Sequence, residues 1–187
     1  MSADFTRQRE IMVDSQIRTQ DVTDQALIEA FRAAPREDLA PAGKAWLAYA
    51  DAEVEYAPGR WLLRPRDVAK LLQALKPRIG ERALAISAPY AAAVLELMGL
   101  EVTQIDAGES ILGAWDVVIC EGAVAEVPSA WKAALALGGR LGVVERDGPV
   151  GRAKLFVRTE QTVAARVLFD STPPLLAGFE PRRNFAL

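Results

Sequence analysis

ALAISAPYAAAVLELMGLEVTQID, residues 83–106, decides the fold. ALAIS (83–87) is a short apolar run fit for a buried strand, and EVTQID (101–106) reads as another. Between them PYAAAVLELMG (89–99) reads as a helix that Pro89 opens and Gly99 stops. The unit is strand, helix, strand. WDVVICEG (115–122), rich in β-branched residues and apolar on both faces, has the character of a central parallel strand. Pro128 then opens a helix predicted to run through Leu137 and to end at Gly138 and Gly139, before a strand in RLGVVER (140–146). KLFVRTE (154–160) and TVAARVLFD (162–170) alternate and lie close enough to form a hairpin. Strands alternating with helices, followed by an antiparallel pair, predict an α/β doubly wound, mostly parallel six-stranded sheet with a mixed edge.

Upstream, residues 1–35 read as a helical hairpin. Its second helix carries Leu27, Ala30, Phe31 and Ala34 on one face, with Thr23 or Asp24 as N-cap and Pro35 at its end. Pro35, Pro41, Gly43, Pro58 and Gly59 punctuate the connection that follows, which has room for a short strand or two. A third helix opens at Pro65 and places Val68, Leu71, Leu72 and Leu75 at i, i+3, i+4 and i+7. The expected organisation is one domain over 1–187, with an N-terminal helical extension and cap (1–78) on a core (79–187).

Composition narrows the chemistry. The 187 residues include 22 basic and 25 acidic side chains, a formal charge of −3 without a basic run, which argues against a nucleic-acid partner. There is one cysteine, Cys120, and no histidine, so no internal disulfide and no metal site are expected, and Ser-His-Asp and Cys-His schemes are excluded. Cys120 itself, inside an apolar run, reads as a small buried hydrophobe. The charged N-terminal stretch and the lack of any apolar run approaching 18 residues predict a cytoplasmic protein without a membrane partner.

Several blocks together resemble the protein-L-isoaspartate O-methyltransferases, which use S-adenosylmethionine to esterify isoaspartyl carboxylates. They are MVDSQIRTQDVTDQALIEAFRAAPRED (12–38), GRWLLRP (59–65), WDVVICEGAVAEVP (115–128), GPVGRAKLFVRTE (148–160) and VLFDSTPPLLAGFEP (167–181). The resemblance implies a Rossmann-like methyltransferase fold and an S-adenosylmethionine cofactor. It also brings out three departures, which mark a divergent member with degenerate motifs. Where the family resembles V-L-D-V-G-C-G-T-G-Y, this chain has ALAISAPY (83–90): Ala85 replaces the acidic residue and no glycine remains. Such a turn needs backbone without Cβ for close approach of a cofactor, so the pocket is expected to be narrowed or closed. After Asp106 only AGESILGA (107–114) separates the second strand from Trp115, too few residues for a crossover. One strand-helix layer of the family is therefore expected to be absent, leaving 101–106 as an exposed edge. Where the family resembles G-Q-T-I-S-Q-P, with the serine associated with activity, Leu63 stands at the serine position, Trp61 at the threonine and Arg64 at the glutamine.

Candidate site residues follow from both arguments. Ser87 in the turn, Asp106 at the ribose-binding position, and Glu121 and Gly122 at the carboxyl end of the central strand would contact the cofactor if binding persisted. The bland reading of Asp106 is a solvated side chain in an Asp-Ala-Gly turn, and Glu121 and Gly122 suit a tight structural turn equally. Arg60 and Arg64, with Arg66, could bind a substrate carboxylate through their planar forks or form a solvated basic turn. Trp61 is expected in the core or as a lid over a vacated pocket. With turn, layer and serine lost, the expected protein keeps the fold as a binding or regulatory module that has lost S-adenosylmethionine binding and methyl transfer. Its expected partners are an unknown protein and a second copy joined through the edge at 101–106. The alternatives are an active isoaspartyl methyltransferase in protein repair, and a protein binding another small ligand through Arg60, Arg64, Asp106 or Glu121.

Overall fold

The computed structural model describes residues 4–181. The helical reading of residues 1–3 lies outside that range. α1 (Phe5–Met12) is capped by Asp4, whose carboxylate accepts from the Arg7 amide at 3.1 Å, and continues through a widened π turn over Val13–Ile17. α2 (Gln25–Ala33) takes Asp24 as its N-cap, with Leu27, Ala30 and Phe31 buried as their spacing predicted. The next segment forms a two-stranded antiparallel hairpin, β1 (Val54–Ala57) and β2 (Arg60–Leu62). α3 (Pro65–Leu75) starts on its proline and buries Val68, Leu71, Leu72 and Leu75.

The main sheet contains β3 (Arg82–Ile86), β4 (Glu101–Ile105), β5 (Trp115–Val124), β6 (Leu135–Glu145), β7 (Arg152–Arg158) and β8 (Val163–Asp170), in the order β4-β3-β5-β6-β7-β8. The first four are mutually parallel and the last two antiparallel. α4 (Pro89–Leu97) connects β3 to β4. The arrangement is Rossmann-like, a mostly parallel six-stranded sheet with helices at the N-terminus. β5 is central and buried along nearly its whole length, because its run of valines and isoleucine faces helices on one side and a second apolar layer on the other. β4 pairs only with β3 and forms one edge, as the short 107–114 connection predicted.

One element differs from the sequence reading. The helix expected from Pro128 through Leu137 is α5, Ser129–Ala133 only, and Leu135 already pairs with Trp115 in β6. Gly138 (φ +76°) and Gly139 do not stop a helix. They form an irregularity inside β6, where a Cβ on Gly139 would stand 2.6 Å from the Trp115 carbonyl.

Candidate functional site

The carboxyl ends of β3, β4 and β5 meet the hairpin β1–β2, which brings Tyr56 over them. Tyr56, Ser87, Pro89, Gln104, Asp106 and Glu109 line an open cleft there of about 260 Å³. Ser87 sets its shape. Although the turn has no glycine, Ser87 takes a positive φ (+45°). Its hydroxyl holds the turn by donating to Asp106 Oδ1 at 2.9 Å and accepting from the Ala107 amide at 2.9 Å. The serine bears the backbone strain that glycine would relieve and offsets it with two side-chain hydrogen bonds.

Asp106 stands at the end of β4, and its carboxylate is gripped by Arg60, with Nε at 2.5 Å from Oδ1 and Nη2 at 2.6 Å from Oδ2. That fork-to-fork contact, more than anything else, holds the carboxyl well below the usual carboxylate range. Arg60 also donates to the Ala177 carbonyl at 3.2 Å. Asp106 and Arg60, read from the sequence as separate binding groups, are therefore partners. Arg64 lies 2.8 Å from Glu53 Oε1, an ion contact without hydrogen-bond alignment, and Arg66 lies 3.0 Å from Asp51. The three arginines do not form a solvated basic turn: each meets a carboxylate of the same chain.

Glu121 is fully buried. Its Oε1 accepts from the Ala91 amide at 2.8 Å in the first turn of α4, and its Oε2 accepts from the Leu63 amide at 3.0 Å. Burial pushes this carboxyl above its ordinary range, while the Arg36 guanidinium and the backbone donors of Ala91, Leu63 and Tyr90 pull the other way. Arg36, also fully buried, donates to the carbonyls of Ala48 and Leu63, both at 2.7 Å, and lies 4.6 Å from the centre of the Tyr90 ring. The Leu63 peptide is thus bracketed by a buried anion on its N–H and a buried cation on its C=O. Tyr90 packs edge-on against Phe31 in the core.

Gly122 (φ +118°) makes room for the C-terminal segment. A Cβ there would stand 2.6 Å from Leu176 Cδ2. Residues 174–179 run across the end of β5, bonding backbone to backbone with Ala123 and Ala125, while Ala177 donates to the Gly59 carbonyl at 3.2 Å. Cys120 is buried and its thiol is pushed up by burial, in keeping with a packing role. Trp61 is half-buried on β2 opposite Glu55. Among the described residues, no group of three or more Asp, Glu or Cys is placed to hold a metal ion, and no helix is long and apolar enough to cross a membrane.

Comparison with known proteins identifies the relatives. No protein-family model matches the chain. A protein-L-isoaspartate O-methyltransferase from Methylorubrum populi is 31% identical over 180 residues, covering 80% of this chain and 84% of that protein. The chain belongs to the protein-L-isoaspartate O-methyltransferase family. Relatives from Methylorubrum extorquens (37% identical over 105 residues) and Rhodopseudomonas palustris (40% over 104) match about half of this chain, 55% and 54%. These two matches span less than half of the relatives' own length, 46% and 42%. Among solved structures, a protein-L-isoaspartate O-methyltransferase superposes with a TM-score of 0.73 at 19% identity, covering 92% of this chain and 67% of that one. A candidate protein-L-isoaspartate O-methyltransferase from Plasmodium falciparum, in complex with S-adenosyl-L-homocysteine, gives 0.72 at 15% identity, covering 90% and 97%.

For this methyltransferase-family protein, sequence reading missed Arg36 and Tyr56. Arg36 sits in a 3-10 turn (Arg36–Leu39) after α2, 27 positions from the peptide it holds, and arginine is normally exposed. Only its place beside the Pro35 helix stop hinted at a special environment.

Proposed function

We propose that this protein-L-isoaspartate O-methyltransferase homologue acts as a binding or regulatory module without S-adenosylmethionine binding or methyl transfer. One observation carries the reading: the polar groups at the expected cofactor position are bound by side chains of the same chain. A helix N-terminus after the first strand and an acidic residue after the second are what such folds offer to a nucleotide-like ligand. In this chain the first is filled by Glu121 and the second by Arg60. The cleft that remains, about 260 Å³, is below the roughly 300–1,000 Å³ usual for small-molecule sites. Leu63, at the family's serine position, is fully buried and has no hydroxyl to offer an acceptor substrate. Methyl transfer depends on holding donor and acceptor in line, and these residues do not fit an S-adenosyl group in that role.

The test is calorimetric titration of the protein with S-adenosylmethionine and S-adenosylhomocysteine, together with turnover on an isoaspartyl peptide. Neither ligand is expected to bind, and no methyl ester is expected to form. Micromolar binding of either ligand overturns the reading.

The module reading extends to a second copy of the chain at the β4 edge. Antiparallel pairing about Thr103 sets Glu101 opposite Ile105 and Val102 opposite Gln104, with no like charges facing, and no proline, lysine or bulge guards the strand. A monomer by sedimentation across micromolar concentrations would remove this part of the proposal.

A further inference from the structure

Deepening the reading above, and resting on it, we propose that the backbone amides of Leu63 and Ala91, with the Arg36 guanidinium on the carbonyl of the same Leu63 peptide, form a carboxylate-binding site that Glu121 fills in cis. The protein carries its own ligand.

Three observations meet at this point. First, α4 has no local cap: the residue before it is Ala88, with no side chain to bond, and Pro89 follows at its first position. The free amides of its first turn therefore need an acceptor from elsewhere, and an anion suits both their hydrogen-bonding need and the helix dipole. Second, the acceptor comes from β5, 30 residues away, and it also takes the Leu63 amide from the loop 58 residues away. One carboxylate thus gathers donors from two separate elements, as a bound carboxylate would. Third, the Arg36 guanidinium, which donates through Nη2 to the Leu63 carbonyl and lies over the Tyr90 ring, has Nη1 without a partner although fully buried, and Tyr90 Oη is likewise buried and unpartnered. An uncommitted cation donor and an uncommitted hydroxyl are features of a polar pocket with more binding capacity than its single occupant uses.

The tether explains why free carboxylates should not compete in the native protein. A carboxylate fixed to β5 acts at an effective concentration far above that of a dissolved anion, so the site is closed as long as Glu121 is present. Removing that side chain should expose it. In Glu121→Ala the amides and the Arg36 charge lose their counterion, and a small carboxylate such as formate or acetate can enter the volume vacated.

The experiment compares the native protein, Glu121→Ala and Glu121→Gln in formate, acetate and chloride at matched ionic strength. Glu121→Ala should melt lower than the native protein and recover in a saturable manner with formate or acetate. At about ten times its Kd the ligand should raise Tm by roughly 3–6 °C. The Leu63 and Ala91 amide resonances should move with the same Kd. The native protein and Glu121→Gln, whose pocket remains filled, should respond to formate no more than to chloride. If Glu121→Ala does not fold in chloride, recovery of its folded spectrum in formate becomes the readout. Equal responses to formate and chloride in Glu121→Ala, or a formate response in Glu121→Gln as large as in Glu121→Ala, would overturn the proposal. S-adenosylhomocysteine titration of the native protein decides the module reading separately, so the two can fail independently.

Discussion

Replacing Ser87 tests whether a strained serine turn closes the cleft. Its positive φ costs a residue with a Cβ about 1–2 kcal/mol. Glycine removes that cost but gives back about 0.4–1 kcal/mol through the greater freedom of the unfolded chain. Against this stand two hydrogen bonds of 2.9 Å. One goes to the ionised but half-exposed Asp106, and the other comes from the buried amide of Ala107, whose loss leaves a donor unsatisfied. Taken at the low end because Asp106 meets solvent, the pair is worth about 2–3 kcal/mol. Ser87→Ala keeps the strain and loses both bonds, so it should be less stable by about 2–3 kcal/mol. Ser87→Gly should be less stable by about 1–2 kcal/mol. Urea unfolding followed by tryptophan fluorescence should lower the midpoint by about 1–1.5 M for the alanine variant and about 0.5–1 M for the glycine variant, with m near 2 kcal/mol/M. A glycine variant as stable as the native protein would show that the hydroxyl does not hold the turn. A glycine variant less stable than the alanine variant by about 0.4–1 kcal/mol would show that the backbone there is unstrained.

Two further predictions rest on neighbouring contacts. Gly122→Ala should cost about 2–4 kcal/mol, because its Cβ falls 2.6 Å from Leu176 at a backbone conformation open mainly to glycine, and Leu176→Ala in the same chain should be less damaging there than in the native background; thermal unfolding of the four proteins measures the coupling, and strict additivity would refute the contact. Asp106 and Glu81 have carboxyl pKa values lowered chiefly by hydrogen bonds from Arg60 and Arg140. A folded-state pKa below the unfolded one, near 4, gives stability that is present above about pH 4 and lost as pH falls through the folded value. Stability should therefore decline below pH 4, and Arg140→Met should flatten part of that decline in urea titrations at stepped pH; an unchanged slope would refute the assignment.

The fold was legible because its signals are local. The apolar period of residues 68–75, the cap at Thr23 or Asp24, which the structure places at Asp24, and the short span between Asp106 and Trp115 each act within a few residues. The misread helix after Pro128 shows the limit: Gly138 and Gly139 punctuate a helix and a bulged strand alike, and only pairing with Trp115 distinguishes them. In the site, the positions were legible but the pairings were not. Arg60 and Asp106 are 46 residues apart and Glu121 and Leu63 are 58 apart. Nothing in a linear pattern shows that two candidate binding groups are each other's ligands.

Those pairings alter what the missing glycines mean. A glycine-free turn by itself leaves a narrowed pocket whose amides and carboxylate remain available, and restoring glycine would then restore the site. Here the α4 amides are held by Glu121 and Asp106 by Arg60, and both interactions help hold the hairpin and α4 against the sheet. Glycine at Ser87 would relax the turn yet leave both groups occupied. On the proposed reading the closure resides in polar groups that satisfy one another between separate elements, and it would persist even if the turn were repaired. A site closed as proposed would be distinct from one that has only lost residues, because the groups placed to bind a ligand would have become part of what keeps the fold together.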